Sequence, residues 1–246
     1  MKNKSSLMAD AWGALKQNKA ALFSFVTMSV MVVLVILGPL LSPFAIDQTD
    51  WYQLSAKPSF SSGHIFGTDD LGRDLFVRVM YGGRISLMVG LVATMVSVFI
   101  GVSYGAISGY LGGKTDAIMM RVVDVLYAMP FLFFVILLMV FFGRSILLIF
   151  IAIGAVNWVD IARIVRGQTL NIKGKEFVDA ARAGGVSNIK IVFKHIVPNL
   201  LGLVVVYVAL TVPQVILVES FLSFLGLGVQ EPMTSWGALV NQGAKQ

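Results

Sequence analysis

Five stretches of this chain are apolar over roughly the length that crosses a bilayer. They lie at residues 20–41, 85–111, 122–142, 146–164 and 200–218. A helix of about 20 residues, at about 1.5 Å per residue, spans the roughly 30 Å of hydrocarbon in a membrane. Because hydrocarbon offers no partner for backbone N–H and C=O groups, such stretches form helices that pair these groups internally. The sequence therefore predicts an all-α polytopic membrane protein with five visible spans.

The composition agrees with membrane insertion. Of the 246 residues, 57% are hydrophobic and 13% are charged, whereas soluble domains carry about 25% charged residues. The chain has no cysteine, which excludes disulfides and thiolate metal sites, and its two histidines lack companions at metal-ligand spacing. The net charge of +6 comes from residues that flank the spans. It therefore indicates contact with the membrane surface and no binding of nucleic acid.

The basic residues also indicate the orientation of the chain. With the N-terminus inside, 13 Lys and Arg residues fall in inner segments and 6 fall in outer ones, as the positive-inside rule requires. We therefore expect residues 1–43 to form a cytoplasmic N-terminus and an uncleaved anchor helix. Residues 44–84 are expected to form an extracytoplasmic loop. Residues 85–246 are expected to form the helical core, with a polar cytoplasmic loop at 163–198.

Small residues and prolines mark the helices of the core. One face of the second span carries a small residue at every fourth position: Ser97, Gly101, Gly105, Gly109 and Gly113. Such a ladder lets another helix approach closely. Pro130 and Pro213 lie inside two other spans, where each removes a helix hydrogen bond and kinks the helix. Together with Glu219, an acid at the outer end of the last span, they are candidates for shaping a path through the membrane. The alternatives are ordinary kinks and, for Glu219, a side chain that reaches outward to the interface.

Two motif matches do not indicate catalysis. Residues 101–105 fit the GxSxG pattern of serine hydrolases, but Ser103 lies in an apolar helix and both histidines fall in loops. Residues 109–115 resemble a phosphate-binding loop, but Ser108 stands where the pattern needs glycine, and a membrane span precedes it instead of a strand. We therefore predict no catalytic residue, no metal ligand and no ATP-binding site in this chain.

The polar insert before the last span has a recognisable spacing. Gly185 follows Asp179-Ala180-Ala181 six residues after Asp179, and Pro198 comes thirteen residues after Gly185. This resembles the EAA loop of ABC importer permeases, which contacts the ATPase, with Asp179, His195 and Val197 replacing Glu, Ile and Leu. The resemblance implies ATPase-coupling roles for Glu176, Asp179, Ala180, Ala181, Gly184, Gly185, His195 and Pro198. We expect two short helices, 173–183 and 187–196, broken at the glycine pair. The alternative is an amphipathic helix pair on the membrane surface.

A second resemblance covers residues 64–90. This stretch is similar to one in the second permease subunit of dipeptide, oligopeptide and nickel importers, with Val77 where that family has Ser. Its glycines permit tight turns, and we expect its acidic and basic residues to pair. The motif residues are Gly67, Thr68, Asp69, Gly72, Arg73, Asp74, Arg78 and Arg84. Residues 219–228 and 235–237 match the same subfamily through E-x-x-L-S-F-L-G-L-G and S-W-G.

Together these resemblances imply a binding-protein-dependent, MetI-like ABC permease fold. They imply a transmembrane permease subunit of an ATP-driven importer for peptides or related small solutes, which couples ATPase motion to alternating access and is not itself an enzyme. The chain is expected to hold no cofactor. Expected partners are a second homologous permease subunit, two ATP-binding subunits that hold ATP and Mg, an extracytoplasmic substrate-binding protein and membrane lipid. The expected location is the cytoplasmic (inner or plasma) membrane of a prokaryote.

Three alternatives and one missing element accompany this interpretation. The solute could be a nickel or other metal chelate of the opine type, and from other classes the chain could be an intramembrane enzyme or a membrane scaffold. The implied family carries a sixth span after S-W-G, whereas only nine residues follow Gly237. We therefore expect either a longer native product or a five-span subunit whose partner fills the gap.

Overall fold

The computed structural model describes residues 7–143 and 145–244. Four basic residues of the orientation argument, Lys2, Lys4, Arg144 and Lys245, lie outside the described residues. The part of the chain that is described is built from helices, with two isolated β-bridges and no strand. The contacts divide it into two units, residues 1–84 and 85–246. The three-part division expected from the sequence stays a prediction.

The first unit holds two helices and an ordered loop. Helix α1 covers Leu7–Gln17 and α2 covers Lys19–Leu41. Asn18 caps α2, because its Oδ1 accepts hydrogen bonds from the backbone N–H groups of Ala20 and Ala21, both at 3.1 Å. After α2 the chain forms turns and two isolated bridges, Thr49 with Arg73 and Thr68 with Asp74, before α3 begins.

The second unit contains the remaining helices. Helix α3 covers Leu75–Leu111, and the division between the two units falls within it. The later helices are α4 Gly113–Ala128, α5 Phe131–Phe142, α6 Ile146–Ile172, α7 Glu176–Ala183, α8 Asn188–Ile191, α9 Val197–Phe224 and α10 Trp236–Gly243. A π-helical turn, Val192–Ile196, joins α8 to α9 without a break. The segment Asn188–Phe224 is therefore one continuous helical rod of 37 residues.

Three described helical segments are long and apolar enough to cross a membrane. They are Lys19–Leu41, Leu75–Leu111 and Asn188–Phe224, which contain the first, second and fifth predicted spans. The third predicted span corresponds to α4 and α5, which meet at 85° and form a fourth crossing only if counted together. The break falls at Met129–Pro130, where proline disfavours a helical conformation of the residue before it. The fourth predicted span lies within α6 and stays a prediction.

The small-residue ladder of α3 is the seam against α6. A Cβ atom added to Gly105 would stand 2.3 Å from the carbonyl oxygen of Ala162, and one on Gly101 would stand 2.8 Å from that of Trp158. The Oγ of Ser97 donates to the carbonyl of Gly154 at 3.2 Å. The predicted packing role is therefore confirmed for this part of the ladder. It is wrong for Gly113, which has no atom within 4 Å of an added Cβ, because α3 has already ended.

Candidate functional site

The polar insert holds one short helix, α7, and the first residues of the continuous rod Asn188–Phe224, with an abrupt stop between them. The expected helix 173–183 is shorter, since α7 begins at Glu176, and the expected second short helix, 187–196, is wrong as a separate element, because it continues into α9. Helix α7 ends at Ala183, and Gly185 follows with a φ of +73°, a conformation that only glycine adopts without strain. The N–H of Gly185 donates to the carbonyl of Arg182, and the N–H of Val186 donates to that of Ala181, both at 3.1 Å. This is a Schellman ending, with glycine at its left-handed position. The expected break at Gly184-Gly185 is confirmed.

One face of this insert packs on α3 and α6. Its buried apolar residues join one cluster with residues of those helices: Val178, Ile191, Val192 and Ile196 with Val102, Ala106, Tyr110, Ile161 and Val165. The Tyr110 hydroxyl donates to Oδ1 of Asn188 at 3.1 Å, and Nζ of Lys173 donates to the carbonyl of Gly109 at 3.2 Å. The insert is therefore packed directly on α3 and α6, and packed interiors of this kind transmit strain.

The face of the insert that points away from α3 and α6 is exposed, and it carries most of the predicted coupling residues. Those left exposed are Glu176, Asp179, Ala180, Gly184, Gly185 and Pro198, whereas Ala181 and His195 are half-buried. Oδ1 of Asp179 is held by Nη1 of Arg182 at 3.1 Å. Sequence reasoning missed the apolar side chains beside this face, since Phe177, Ile189 and Phe193 are exposed. Contact of the face with an ATPase stays a prediction.

The family motif in the first unit, which the sequence analysis expects outside the membrane, forms a buried polar framework. Oδ2 of Asp69 is 2.8 Å from Nε of Arg73 and 3.5 Å from Nε of Arg78, whose side chain is fully buried. Asp74 was expected to pair with these arginines, but its partners are different. Its Oδ2 lies 2.8 Å from Nδ1 of the buried His64, and its Oδ1 accepts the N–H of Val77 in the first turn of α3. The charges therefore fix the loop, which is not merely solvated.

Two glycines and a threonine of the same motif bring its backbone segments together. Gly67 and Gly72 have φ values of +79° and +73°. A Cβ atom added to Gly67 would stand 2.2 Å from the carbonyl oxygen of Ala56, and one added to Gly72 would stand 2.3 Å from that of Asp50. Both positions therefore require glycine, for the turn and for the close approach of the backbone. Oγ1 of Thr68 accepts the N–H of Ala56 at 2.8 Å. The tight turns predicted for the glycines are confirmed.

Arg84, the last residue of the first unit, has a role that the sequence did not indicate. Pro39 lies inside α2, and its missing N–H leaves the carbonyl of Val35 without its usual donor. Nε of Arg84 donates to that carbonyl at 2.9 Å, and its Nη2 donates to the carbonyl of Ile36. Arg84 therefore satisfies the backbone of the anchor helix at its proline.

Glu219 lies at the centre of a buried network in the second unit. Its Oε2 accepts from Oγ of Ser86 at 3.0 Å, and its Oε1 accepts from Oγ of Ser223 at 2.7 Å. Oγ of Ser235 in turn donates to Ser223 at 3.1 Å, and the N–H of Trp236 donates to Ser86 at 3.2 Å. The carboxylate is fully buried, so it does not reach outward to the interface. The network joins three segments that the sequence analysis matched separately.

The two proline candidates behave differently. At Pro130 the helix is interrupted, since Met129 has the extended φ and ψ of −77° and 129°. Helix α9 instead continues through Pro213, although proline cannot donate to the carbonyl four residues earlier. The roles of Pro130, Pro213 and Glu219 along a path through the membrane stay predictions.

The loop at 44–84 also exposes aromatic side chains that the sequence analysis did not single out. Trp51, Tyr52 and Phe60 are 76%, 98% and 87% exposed. Aromatic residues are enriched at protein–protein interfaces, so their concentration in one loop was the available signal. They are candidates for contact with a protein outside the membrane.

Comparison with known proteins agrees with this architecture. Residues 101–244 match the family described as binding-protein-dependent transport system inner membrane component, and residues 6–58 match the N-terminal TM domain of oligopeptide transport permease C. The chain is 59% identical to the oligopeptide transport system permease protein OppC of Escherichia coli (strain K12), over 97% of this chain and 79% of that protein. It is 56% identical to OppC of Haemophilus influenzae, over 98% and 78%. It is 46% identical to the dipeptide transport system permease protein DppC of Bacillus subtilis (strain 168), over 97% and 74%.

These matches decide several of the predictions. The relatives are permease proteins of transport systems, so the predicted permease fold and the prediction of a transport subunit that is not an enzyme are confirmed. The family description also supports a multi-pass location in an inner membrane and a dependence on a binding protein. With these matches covering most of its length, the chain belongs to the family of binding-protein-dependent transport system inner membrane components.

Proposed function

We propose that this chain is a permease subunit of an ATP-driven importer of peptides in the cytoplasmic membrane of a prokaryote. The relatives named above are oligopeptide and dipeptide transport permeases, and they match nearly the whole chain. In this proposal the chain performs no chemistry. It forms half of a membrane pathway with a second, homologous permease subunit, and two partner subunits bind ATP and Mg.

The polar insert between α6 and α9, which we call the coupling insert, is the observation that carries this proposal. It presents small exposed residues, Ala180, Gly184 and Gly185, on one face and buries Val178 and Ile191 on the other. Small side chains allow a partner backbone to approach closely, while Phe177 and Ile189 offer apolar contacts at the rim. The buried face rests on α3 and α6. Motion of an ATPase would therefore reach the helices of the pathway through this insert.

The loop at residues 44–84 supports docking of a substrate-binding protein. The exposed side chains Trp51, Tyr52 and Phe60 belong to a loop whose backbone is fixed by buried ion pairs such as Asp69 with Arg73. A fixed loop loses little conformational entropy on binding, which favours affinity. We propose that a peptide-loaded binding protein docks on this loop.

Peptide uptake by cells tests the proposal directly. Deleting this chain from a strain should abolish the uptake of tri-alanine, and restoring the chain should recover it. The uptake of a nickel chelate should not depend on the chain. Uptake of the chelate without the peptide would contradict the peptide assignment. Absence of uptake without added energy, together with stimulation of partner ATPase activity by this chain, separates an importer from a membrane scaffold.

Two arginine substitutions test the coupling insert. Gly185→Arg and Ala180→Arg should each lower uptake by more than about tenfold, since truncating or blocking the centre of an interface costs at least about 2 kcal/mol. Gly174→Arg is the matched control, because Gly174 is exposed in the same loop and has no neighbour within 4 Å of an added Cβ. The ATPase should no longer co-purify with the Ala180→Arg variant. Normal uptake by this well-inserted variant would remove the coupling assignment.

A further inference from the structure

A cavity of about 270 Å³ lies between α6 and α9 in the second unit. Its lining includes five polar side chains: Asn157, Asp160, Tyr207, Thr211 and Gln214. Each helix contributes residues over about two turns, 157–164 and 207–214, so the groove is roughly 10 Å long. Asp160 and Gln214 are exposed, so the groove is open on one side.

The groove lies along a part of α6 that the sequence analysis assigned to a membrane span. Gly101 of α3 faces Ile161 and the carbonyl of Trp158, the neighbours of Asp160 in α6. Gly101 is at least ten residues from either end of the predicted span 85–111, which places it about 15 Å or more from both ends. Asp160 itself lies four residues before the end of the predicted span 146–164, about 6 Å from that end, and its side chain is exposed. A charge inside a predicted span is a candidate functional residue, because its contact with lipid is costly.

Asp160 has no cationic partner among the described residues. The two arginines that follow it in α6 are paired with α4: Nη2 of Arg163 lies 2.7 Å from Oδ1 of Asp124, and Nε of Arg166 lies 2.6 Å from Oδ1 of Asp116. Neither is available to neutralise Asp160. The carboxylate is therefore left for a cation that comes from outside the described part of the chain.

We propose that this groove is a contact site for the transported peptide, with Asp160 binding the peptide's α-ammonium group. A carboxylate and an ammonium form strong, charge-assisted hydrogen bonds. The amides of Asn157 and Gln214 each offer a donor and an acceptor, which suits the backbone amides that all peptides share. The site thus recognises the common backbone of peptides and not their side chains. This inference rests on the proposed function.

The size of the groove fits one wall of such a site. Its volume of about 270 Å³ is just below the roughly 300–1,000 Å³ of ordinary ligand pockets. The open side leaves room for a second wall, which the partner permease subunit supplies in this arrangement. Pro213 lies beside Gln214, and its ring leaves the carbonyl of Ala209 without the usual helix donor. The carbonyl oxygen of Ala209 is therefore a hydrogen-bond acceptor that the helix backbone of α9 does not use.

Cysteine labelling of the assembled transporter tests where the peptide lies. The chain has no cysteine of its own, so Gln214→Cys introduces a single thiol in this subunit. Val205→Cys is the matched control, since Val205 is exposed on α9 about 180° away around the helix. A small water-soluble thiol reagent should modify Gln214→Cys and leave Val205→Cys largely unmodified, as read from the mass of this chain. Saturating tri-alanine during ATP turnover should slow the labelling of Gln214→Cys by about threefold or more, as substrate protection at a filled site requires.

Uptake by Asp160 variants tests the charge. Asp160→Asn should lower tri-alanine uptake by about tenfold, the effect of losing one charge-assisted hydrogen bond, while Asp160→Glu should restore most of it. Both variants should still co-purify with the ATPase, because the coupling insert is unchanged.

The outcomes separate this inference from the proposed function. If the unaltered complex does not take up tri-alanine, the proposed function fails and the groove assignment fails with it. If the unaltered complex takes up the peptide but Gln214→Cys is inert, the groove is covered by the partner subunit or lipid and only the groove assignment is overturned. Labelling without peptide protection, or normal uptake by Asp160→Asn, also overturns it.

Discussion

Replacing Gly105 by alanine is the most direct test of how the core is held together. An added Cβ would stand 2.3 Å from the carbonyl oxygen of Ala162 and 3.0 Å from the backbone nitrogen of Arg166. An ordinary contact at this position is 3.4 Å or longer, so α3 and α6 must separate by about 1 Å. Overpacking of this kind costs about 1–3 kcal/mol.

Gly167 of α6 provides the matched control for this substitution. It is a helical glycine with no atom within 4 Å of an added Cβ. Both Gly105→Ala and Gly167→Ala gain the roughly 0.5–1 kcal/mol preference of alanine over glycine in a helix. This term cancels in the comparison, and the gap between the two variants should equal the overpacking cost of about 1–3 kcal/mol.

Thermal unfolding of the purified subunit in detergent measures that gap. One kcal/mol shifts Tm by about 2–4 °C in a protein of 150–250 residues, so Gly105→Ala should melt several degrees below Gly167→Ala. Trp158 is a local fluorescence probe, since it packs in this seam against Tyr104 at a ring distance of 4.9 Å. Equal Tm values would refute the claim that the close approach of the two backbones requires glycine.

Three further predictions concern other parts of the chain. Gly185→Ala should weaken the coupling insert by about 1–2 kcal/mol, because alanine is strained at positive φ, and Gly185→Asn should recover part of the lost uptake. Asn188→Cys should react with an impermeant thiol reagent only in inside-out vesicles, and labelling from outside would reverse the topology. Glu219→Ala should lower the Tm by more than Glu219→Gln, since alanine leaves the hydroxyls of Ser86 and Ser223 without an acceptor at a cost of about 1–3 kcal/mol. Equal melting of the two variants would argue against the network.

Periodic features of the sequence predicted local structure well. A four-residue spacing is a property of helices, so the ladder from Ser97 to Gly109 predicted a close-packing face on α3. The sequence did not show that α6 is the helix that packs there. The glycine pair at 184–185 predicted where α7 ends. The same pattern failed at Gly113, since small residues continue past the end of α3 at Leu111 and spacing alone does not show where a helix stops.

Contacts between distant residues were not predictable in the same way. The sequence shows that Asp69, Asp74 and Arg73 are charged, but it does not show that Asp74 pairs with His64 instead of an arginine. Glu219 and Ser86 are separated by 133 positions, and no local pattern connects them. The α6–α9 groove was missed for the same reason. Asp160 interrupts an apolar run of the sequence, but its role depends on which helix packs beside it.

The continuous helical segment Asn188–Phe224 has a mechanical consequence. At about 1.5 Å per residue its 37 residues form a rod about 55 Å long, with the coupling insert at one end and Glu219 near the other. A tilt of about 5° about its centre would move each end by roughly 2.4 Å in opposite directions. The π-helical turn at Val192–Ile196 and the proline at 213 are the places where such a rod bends most easily. We expect a tilt of this helix to transmit a displacement of the coupling insert to the contacts around Glu219 and to weaken them.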